Sequence, residues 1–277
     1  MNTNSNIYTV IYTTVIVVVV AAVLAFVAMT LKPTQDANVK AETISQMLSA
    51  AQLVSTDELG SMDNQAILRK YSESIGTAFL IDAKGSKVRE LNTELESIEL
   101  ADNLKEQNYN IKGAGEPQLP VYLFKNGDRD IYVIPVYGAG LWGPVWGYFA
   151  FNGDCSKIIG AYFDHSGETP GLGAKIKDEP WFREQFVGKS IDIKGEKLFS
   201  IVKGGAPEGN DSAVDAIAGA TMTGNGLDAA INTWLAAYKP FLMKQMGVSY
   251  DDECDGSCGD NCDKSCGGSC QGHRQCN

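Results

Sequence analysis

The sequence has little of what hydrolases use for catalysis. It holds only two histidines, His165 and His273, and it contains neither a His-Glu-x-x-His zinc motif nor a Gly-x-Ser-x-Gly nucleophile elbow. Residues 188–190, Gly-Lys-Ser, lack the upstream glycine of a Walker A loop. Basic residues are also few, since 23 Lys and Arg stand against 34 Asp and Glu, for a net charge of −11. These features argue against a hydrolase, and the acidic balance argues against nucleic acid as a partner.

Charged side chains are missing altogether from residues 7–31, which are rich in Val, Ala and Ile. At about 1.5 Å per residue, a helix of this length crosses a hydrocarbon core of about 30 Å. A cleaved signal peptide has a basic start and a shorter apolar region of about 7–15 residues. Residues 1–6 contain no Lys or Arg. The sequence therefore predicts an N-terminal flank, residues 1–6, and a retained single transmembrane helix, residues 7–31.

The rest of the chain mixes helix and strand patterns. Pro33 marks the exit from the membrane segment, and an amphipathic helix is predicted from the spacing of Ile44, Met47, Leu48 and Ala51. Residues 78–82 and 121–124 have strand composition, and an Asn-Gly turn joins the second run to residues 131–137 as a hairpin. Helices and antiparallel strands without a βαβ rhythm favour an α+β fold over a doubly wound sheet.

A Gly-x-Gly-x-x-Gly sequence occupies residues 138–143, and Asp164 follows at about the distance of a ribose-binding acid. Such a fingerprint must open a long helix, whereas Pro144 and Gly147 would interrupt one here. We interpret the stretch as a glycine-bent strand pair with Trp142 and Trp146 in the core.

The strongest candidate for a ligand-binding segment is residues 215–223, Asp-Ala-Ile-Ala-Gly-Ala-Thr-Met-Thr. The small residues at 218–220 let the backbone turn closely around a ligand. Two hydroxyls, Thr221 and Thr223, follow, and a helix is then predicted from the spacing of Leu227, Ile231, Trp234, Leu235 and Tyr238. A tight turn that leads into a helix presents free N–H groups and a positive dipole end, which suits a phosphate. An ordinary capping turn is the alternative.

This stretch resembles the flavinylation motif Asp-x-x-Ser/Thr-Gly-Ala-Thr, which is found in the C subunit of the Na⁺-translocating NADH:quinone reductase and in the related G subunit of Rnf complexes. In that family the last Thr carries FMN through a phosphoester bond, and Thr221 matches it. Ala218 stands where the family usually has Ser or Thr. Three other stretches match in the expected order, namely Gly-Leu-Trp-Gly at 140–143, Glu-Thr-Pro-Gly-Leu-Gly at 168–173 and Lys-Gly-Gly-Ala at 203–206.

The resemblance implies a flavin pocket around the covalent FMN on Thr221. Lys203 would neutralise the phosphate or a flavin oxygen, with a solvated surface lysine as the alternative. Asp215 would serve the attaching enzyme or a bound metal rather than electron transfer. The implied cofactor-binding residues are Trp142, Glu168, Thr169, Leu172, Gly173, Lys203, Asp215, Ala218, Gly219, Ala220 and Thr223.

The implied function is electron transfer within an ion-translocating NADH:quinone oxidoreductase that reduces ubiquinone. FMN supplies the redox chemistry, so the chain needs no acid–base machinery and no NADH site of its own. Implied partners are the other subunits of a membrane reductase and a flavin transferase. The family places the main domain on the periplasmic side of the bacterial inner membrane. Lys32 and Lys40 follow the apolar run, and by the positive-inside rule they would favour a cytoplasmic main domain. Alternatives are a G subunit of an Rnf-type complex and, from another class, a membrane-anchored extracytoplasmic sensor or binding domain.

The expected architecture is a single N-terminal transmembrane helix followed by a mixed or antiparallel-sheet FMN-binding domain. It divides into a membrane-proximal α+β part (32–115), an FMN-binding part with the attachment motif (116–247) and a Cys/Gly-rich tail (248–277). Cys155 is predicted to be a buried small hydrophobe. The tail lies outside the resemblance and holds six cysteines: Cys254, Cys258, Cys262, Cys266, Cys270 and Cys276. They suit soft-metal binding, an iron–sulfur cluster or disulfides, with a disordered tail as the alternative.

Overall fold

A helix much longer than the apolar run begins the fold. In the computed structural model, which describes residues 6–91 and 119–248, helix α1 spans Asn6–Ala50. It is the one helix of the described residues long and apolar enough to cross a membrane, and its apolar part is exposed. Pro33 lies inside it, although a proline within a helix costs about 3 kcal/mol. The amphipathic helix predicted after Pro33 is therefore the end of the same helix.

Six antiparallel strands form the main sheet, in the spatial order β2-β1-β3-β4-β5-β6. Their bounds are β1 Ile75–Ile81, β2 Lys87–Glu90, β3 Leu119–Asn126, β4 Arg129–Ala139, β5 Pro144–Asn152 and β6 Ile158–His165. The α+β fold and the hairpin between β3 and β4 are confirmed. Strand β1 lies in the predicted membrane-proximal part and β3 in the predicted FMN-binding part, yet the two strands pair. The predicted boundary between residues 115 and 116 therefore separates strands of one sheet.

The two faces of the sheet carry separate hydrophobic cores, since successive strand residues point to opposite faces. Helix α6, Thr221–Met246, covers one face through Leu227, Ile231 and Trp234. The Trp234 indole N–H donates to the Tyr137 carbonyl at 2.7 Å, which fixes α6 on β4. The end of α1 covers the other face, together with α2 (Thr56–Ser61) and α3 (Asn64–Ser74).

The end of α1 lies directly against β6. A side chain at Gly160 on β6 would collide with the Ala50 carbonyl oxygen, so only glycine allows this approach. Ile44, Met47 and Leu48 are buried in the same contact. The helix that carries the apolar run is thus an integral part of the globular fold.

Short elements link the sheet to α6. After β6 come a loop, residues 166–174, then α4 (Lys175–Asp178) and α5 (Pro180–Glu184). Strands β7 (Ser200–Val202) and β8 (Ala213–Asp215) form a small parallel pair. Asp228 on α6 accepts a hydrogen bond from the Ile201 N–H at 2.7 Å. This bond attaches the pair to α6 and so helps to set the turn at 216–220 before the helix.

The glycine-rich stretch at 138–143 lies at the turn between β4 and β5, which confirms the strand-pair interpretation over a nucleotide fingerprint. Trp142 is 69% exposed because it lies on this turn, so its predicted place in the core was wrong, while Trp146 is half-buried. Cys155 is fully buried, as predicted, and burial raises the pKa of its thiol to about 12.

Candidate functional site

Helix α6 begins at Thr221 with an N-terminus that no side chain caps among the described residues. Ala220 is at the N-cap position, and alanine has no side-chain acceptor for the first N–H groups. The helical bonds start with the Gly224 N–H, which donates to the Ala220 carbonyl at 2.8 Å. The N–H groups of the first turn therefore point outward with partial positive charge, an arrangement that suits an anion. An ordinary capping turn, the alternative considered from the sequence, would need a polar side chain at the N-cap position, where Ala220 stands.

A cavity of about 510 Å³ opens at this helix end, within the usual size range of ligand pockets, roughly 300–1,000 Å³. Gly204 and Gly205 line it with φ values of 88° and 106°. L-residues with side chains rarely adopt such values, so the glycines allow the bend that follows β7. Five predicted site residues share the cavity wall: Lys203, Asp215, Ala218, Gly219 and Thr221.

The two threonines of the motif differ sharply in their surroundings. Thr221 is exposed and lines the cavity. Thr223 is 2% exposed, and its hydroxyl donates to Glu168 Oε2 at 2.5 Å. Of these two hydroxyls, only that of Thr221 is open to an incoming group.

Glu168 joins three of the predicted stretches. Its carboxylate is 5% exposed; Oε1 accepts from the Trp142 N–H at 2.9 Å and Oε2 accepts from Thr223. The Glu168 N–H donates to His165 Nδ1 at 3.1 Å, so this ring nitrogen acts as the acceptor. The carboxylate therefore holds the 140–143 turn, the 166–174 loop and the first turn of α6 together.

The 166–174 loop packs against the acceptor turn. Gly219 has φ 81°, and a Cβ there would lie 2.9 Å from Leu172 Cδ2. A side chain at Gly173 would collide with Glu168 and Thr223. Leu172 and Gly173 thus lie beside the turn at 216–220.

Thr169 shapes the loop through its backbone. The N–H groups of Leu172 and Ala174 both donate to the Thr169 carbonyl at 3.1 Å, and its side chain is exposed. Ala220, in contrast, is buried and serves as the N-cap of α6. Leu172 on the loop and Met222 in the first turn of α6 expose apolar side chains beside this turn.

Asp215 is held by a residue that the sequence motifs do not include. Its N–H donates to Gln185 Oε1 at 2.8 Å, and Gln185 Nε2 donates to its carbonyl at 3.4 Å. Asp215 Oδ1 also accepts from the Ala206 N–H at 2.7 Å. The carboxylate therefore braces the loop after Gly205. Gln185 lies just after α5 in no recognised pattern, so nothing in its local sequence indicates this role.

Among the other cavity residues that the prediction did not include are Gly224 and Asn225, at the start of α6. Their signal is compositional, since glycine and asparagine are poor helix formers at the start of a predicted helix. Within residues 6–91 and 119–248, no cluster of His, Cys, Asp and Glu could hold a metal ion. The tail cysteines lie outside the described residues, so metal or iron–sulfur binding there stays a prediction for Cys254, Cys258, Cys262, Cys266, Cys270 and Cys276.

Comparison with known proteins identifies similar chains. A family model described as FMN-binding domain matches residues 140–236, a range that holds all the predicted flavin-site residues. The C subunit of the Na(+)-translocating NADH-quinone reductase of Vibrio campbellii is 36% identical over 233 residues, which cover 69% of this chain and 88% of that protein. The crystal structure of the corresponding C subunit from Parabacteroides distasonis is 33% identical with a TM-score of 0.63, covering 76% of this chain and 96% of the other. NqrC of Shewanella oneidensis is 27% identical with a TM-score of 0.61, covering 77% and 100%.

Proposed function

The chain belongs to the NqrC family, the C subunits of Na⁺-translocating NADH-quinone reductases, and from this premise we propose that it is the electron-transferring flavoprotein subunit of such a reductase, with FMN esterified to Thr221. The observation that carries the attachment site is the contrast between two hydroxyls. Thr221 is open to the cavity, whereas Thr223 is buried and bound to Glu168.

The residues at the cavity suit a phosphate ester. The uncapped first turn of α6 offers N–H donors, and Lys203 offers a positive charge in the same wall. Esterification replaces the Thr221 hydroxyl proton with the FMN phosphoryl group. A flavin transferase would catalyse this step with a flavin dinucleotide as donor: the Thr221 oxygen bonds to the phosphorus on the flavin side, the pyrophosphate bond breaks, and the nucleoside monophosphate leaves while the hydroxyl proton goes to solvent. The ester would leave one negative charge at the helix end, where the dipole favours it.

The other half of the site suits a flat, largely apolar ring. Leu172, Trp142 and Met222 expose apolar surface on the segments that Glu168 and Gly219 bring together. A bound FMN supplies reversible electron transfer, and the protein fixes its position and surroundings. Glu168 contributes by position, because both carboxylate oxygens hold protein groups.

Membrane attachment follows from α1, which we assign as the single-pass anchor in the bacterial inner membrane. We place the main domain on the periplasmic side, where it would relay electrons between cofactors of partner subunits. The relatives reported above carry the name of the reductase subunit. We therefore retain that assignment over an Rnf-type G subunit, and no observation in the described residues favours a sensor.

Intact mass of the denatured full chain, co-expressed with a flavin transferase, tests the attachment. Wild type should gain the mass of FMN less one water, and Thr221→Ala should lose this gain. Thr221→Ser is the matched control, because it keeps a hydroxyl at the same position and should retain partial loading. An unmodified wild-type mass would remove the basis of the proposal.

A further inference from the structure

Asp164 is a buried acid that the flavin site leaves unused. It lies one residue before the end of β6 and is only 2% exposed. Its Oδ1 accepts from the His165 N–H at 2.7 Å, and its Oδ2 accepts from Lys177 Nζ at 2.8 Å and from Gln46 Nε2 at 3.0 Å. A buried carboxylate without such donors would be costly, so these contacts keep the end of β6 in place.

The ion pair of Asp164 and Lys177 closes the base of the 166–174 loop. Asp164 lies just before the loop and Lys177 lies in α4 just after it. Burial alone would lower the pKa of Lys177, but the hydrogen bond and charge of Asp164 outweigh burial and raise it. The two ends of the loop are therefore held by a charged pair in which the carboxylate is buried and the lysine side chain is 38% exposed.

Gln46 connects this pair to the anchor. It lies on α1, is 4% exposed, and uses both ends of its amide. Its Nε2 donates to Asp164, and its Oε1 accepts from the Trp146 indole N–H at 3.1 Å. The helix with the membrane-spanning length is thus hydrogen-bonded to the base of the loop.

The same loop carries Glu168 and Leu172, which contact the first turn of α6 and the Gly219 turn. We propose that Gln46, Asp164 and Lys177 are positioning residues that tie the anchor helix to the flavin-site loop. The anchor is then a structural part of the cofactor site. The proposal rests on the proposed function only for its flavin readout, because the loop geometry stands without the cofactor.

Loss of any one donor should loosen the loop. Without the Lys177 ammonium, the Asp164 carboxylate stays buried with less compensation. Movement of the loop base relieves this by letting water reach the carboxylate. Gln46→Leu removes the amide with a side chain of similar size and should act in the same direction from the other element.

The test compares hydrogen exchange of the 166–174 loop in full-length, transferase-treated protein. Gln46→Leu and Lys177→Met should speed exchange there about tenfold, since a hydrogen bond to a charged group is lost. Matched controls are Asn38→Leu on the same helix, whose partner is Asn64, and Lys175→Met on the same α4, whose partner is Glu179. Both controls should match wild type in the loop.

The midpoint potential of the bound flavin is the second readout. It should shift in Gln46→Leu and Lys177→Met, and Lys177→Arg should restore the wild-type potential and exchange rate. Unchanged loop exchange in both variants, equal acceleration in the controls, or faster exchange at an unchanged potential would each overturn the proposal. If wild type carried no flavin, the proposed function would fail, while loop exchange and its rescue by Lys177→Arg would still decide this inference.

Discussion

Valine in place of Thr221 or Thr223 makes the same chemical change at two positions two residues apart, and the structure predicts opposite outcomes. Thr221→Val removes an exposed hydroxyl that lines the cavity. It should abolish flavin loading and leave the stability of the flavin-free protein nearly unchanged. Thr223→Val removes a buried hydroxyl that donates to Glu168. It should leave the attachment hydroxyl in place and lower stability.

The expected sizes follow from burial. A hydrogen bond to a carboxylate contributes about 1.5–3 kcal/mol when its loss leaves the acceptor buried. In a domain of this size, 1 kcal/mol corresponds to about 2–4 °C in Tm, so Thr223→Val should lower Tm by about 3–12 °C. An exposed substitution such as Thr221→Val stays within about 0.5 kcal/mol.

Two assays separate the outcomes. Intact mass after co-expression with a flavin transferase measures loading, and thermal unfolding of protein made without the transferase measures stability. Adding Glu168→Gln to Thr223→Val should cost less than the sum of the single changes. Glu168→Gln leaves one acceptor oxygen for the Trp142 N–H and the Thr223 hydroxyl, and Thr223→Val removes one of these two donors. Loss of loading in Thr223→Val with full loading in Thr221→Val would move the attachment to Thr223. Equal Tm values for the two variants would refute the structural role of the Glu168 contact.

Three further predictions address the turn, the phosphate and the loop. Gly219→Ala and Gly209→Ala each place a side chain on a residue with positive φ. The left-handed conformation then lowers the free energy of unfolding by about 1–2 kcal/mol. Only Gly219 is crowded by the 166–174 loop, so intact mass should show reduced loading for Gly219→Ala alone. Lys203→Met should slow loading at limiting transferase without changing Tm, most clearly at low salt. Because the pKa of Lys177 is raised in the folded protein, its stabilisation is full below the ordinary lysine pKa, about 10.4, and is lost as pH rises through the folded value. The Tm difference between wild type and Lys177→Met should thus be constant near neutral pH and should close in strongly alkaline buffer.

Local sequence patterns were enough for the elements whose causes are local. The Asn-Gly turn predicts the β3–β4 hairpin. The spacing of Leu227, Ile231 and Trp234 predicts the buried face of α6. Pro144 correctly excluded a nucleotide-binding helix, since the glycine-rich stretch is a strand connection. Each of these features depends on residues a few positions apart.

Contacts between distant parts of the chain could not be predicted in the same way. Gln46 meets Asp164 from 118 positions away, and Gln185 holds Asp215 from 30 positions away. Neither glutamine belongs to a motif, and glutamine is usually exposed. Glu168 was expected among the cofactor-binding residues, but only the fold shows that Thr223 and a backbone N–H already use its carboxylate. Which side chains become hydrogen-bond partners depends on the order of the strands and on how the helices pack against the sheet.

The start of α6 shows how stability and function are divided within one helix. Its first six residues include Gly224 and Gly226, and each glycine costs about 1 kcal/mol relative to alanine. Packing requires Gly226, since a side chain there would collide with the Ala139 carbonyl, whereas Gly224 faces open space and lines the cavity. With Ala220 as the N-cap, this end has weak local support, and the buried Trp234 region holds the helix instead. Because tertiary packing supplies the stability, the N–H groups of the first turn need no side-chain cap, and they remain available to the phosphate ester that we propose on Thr221.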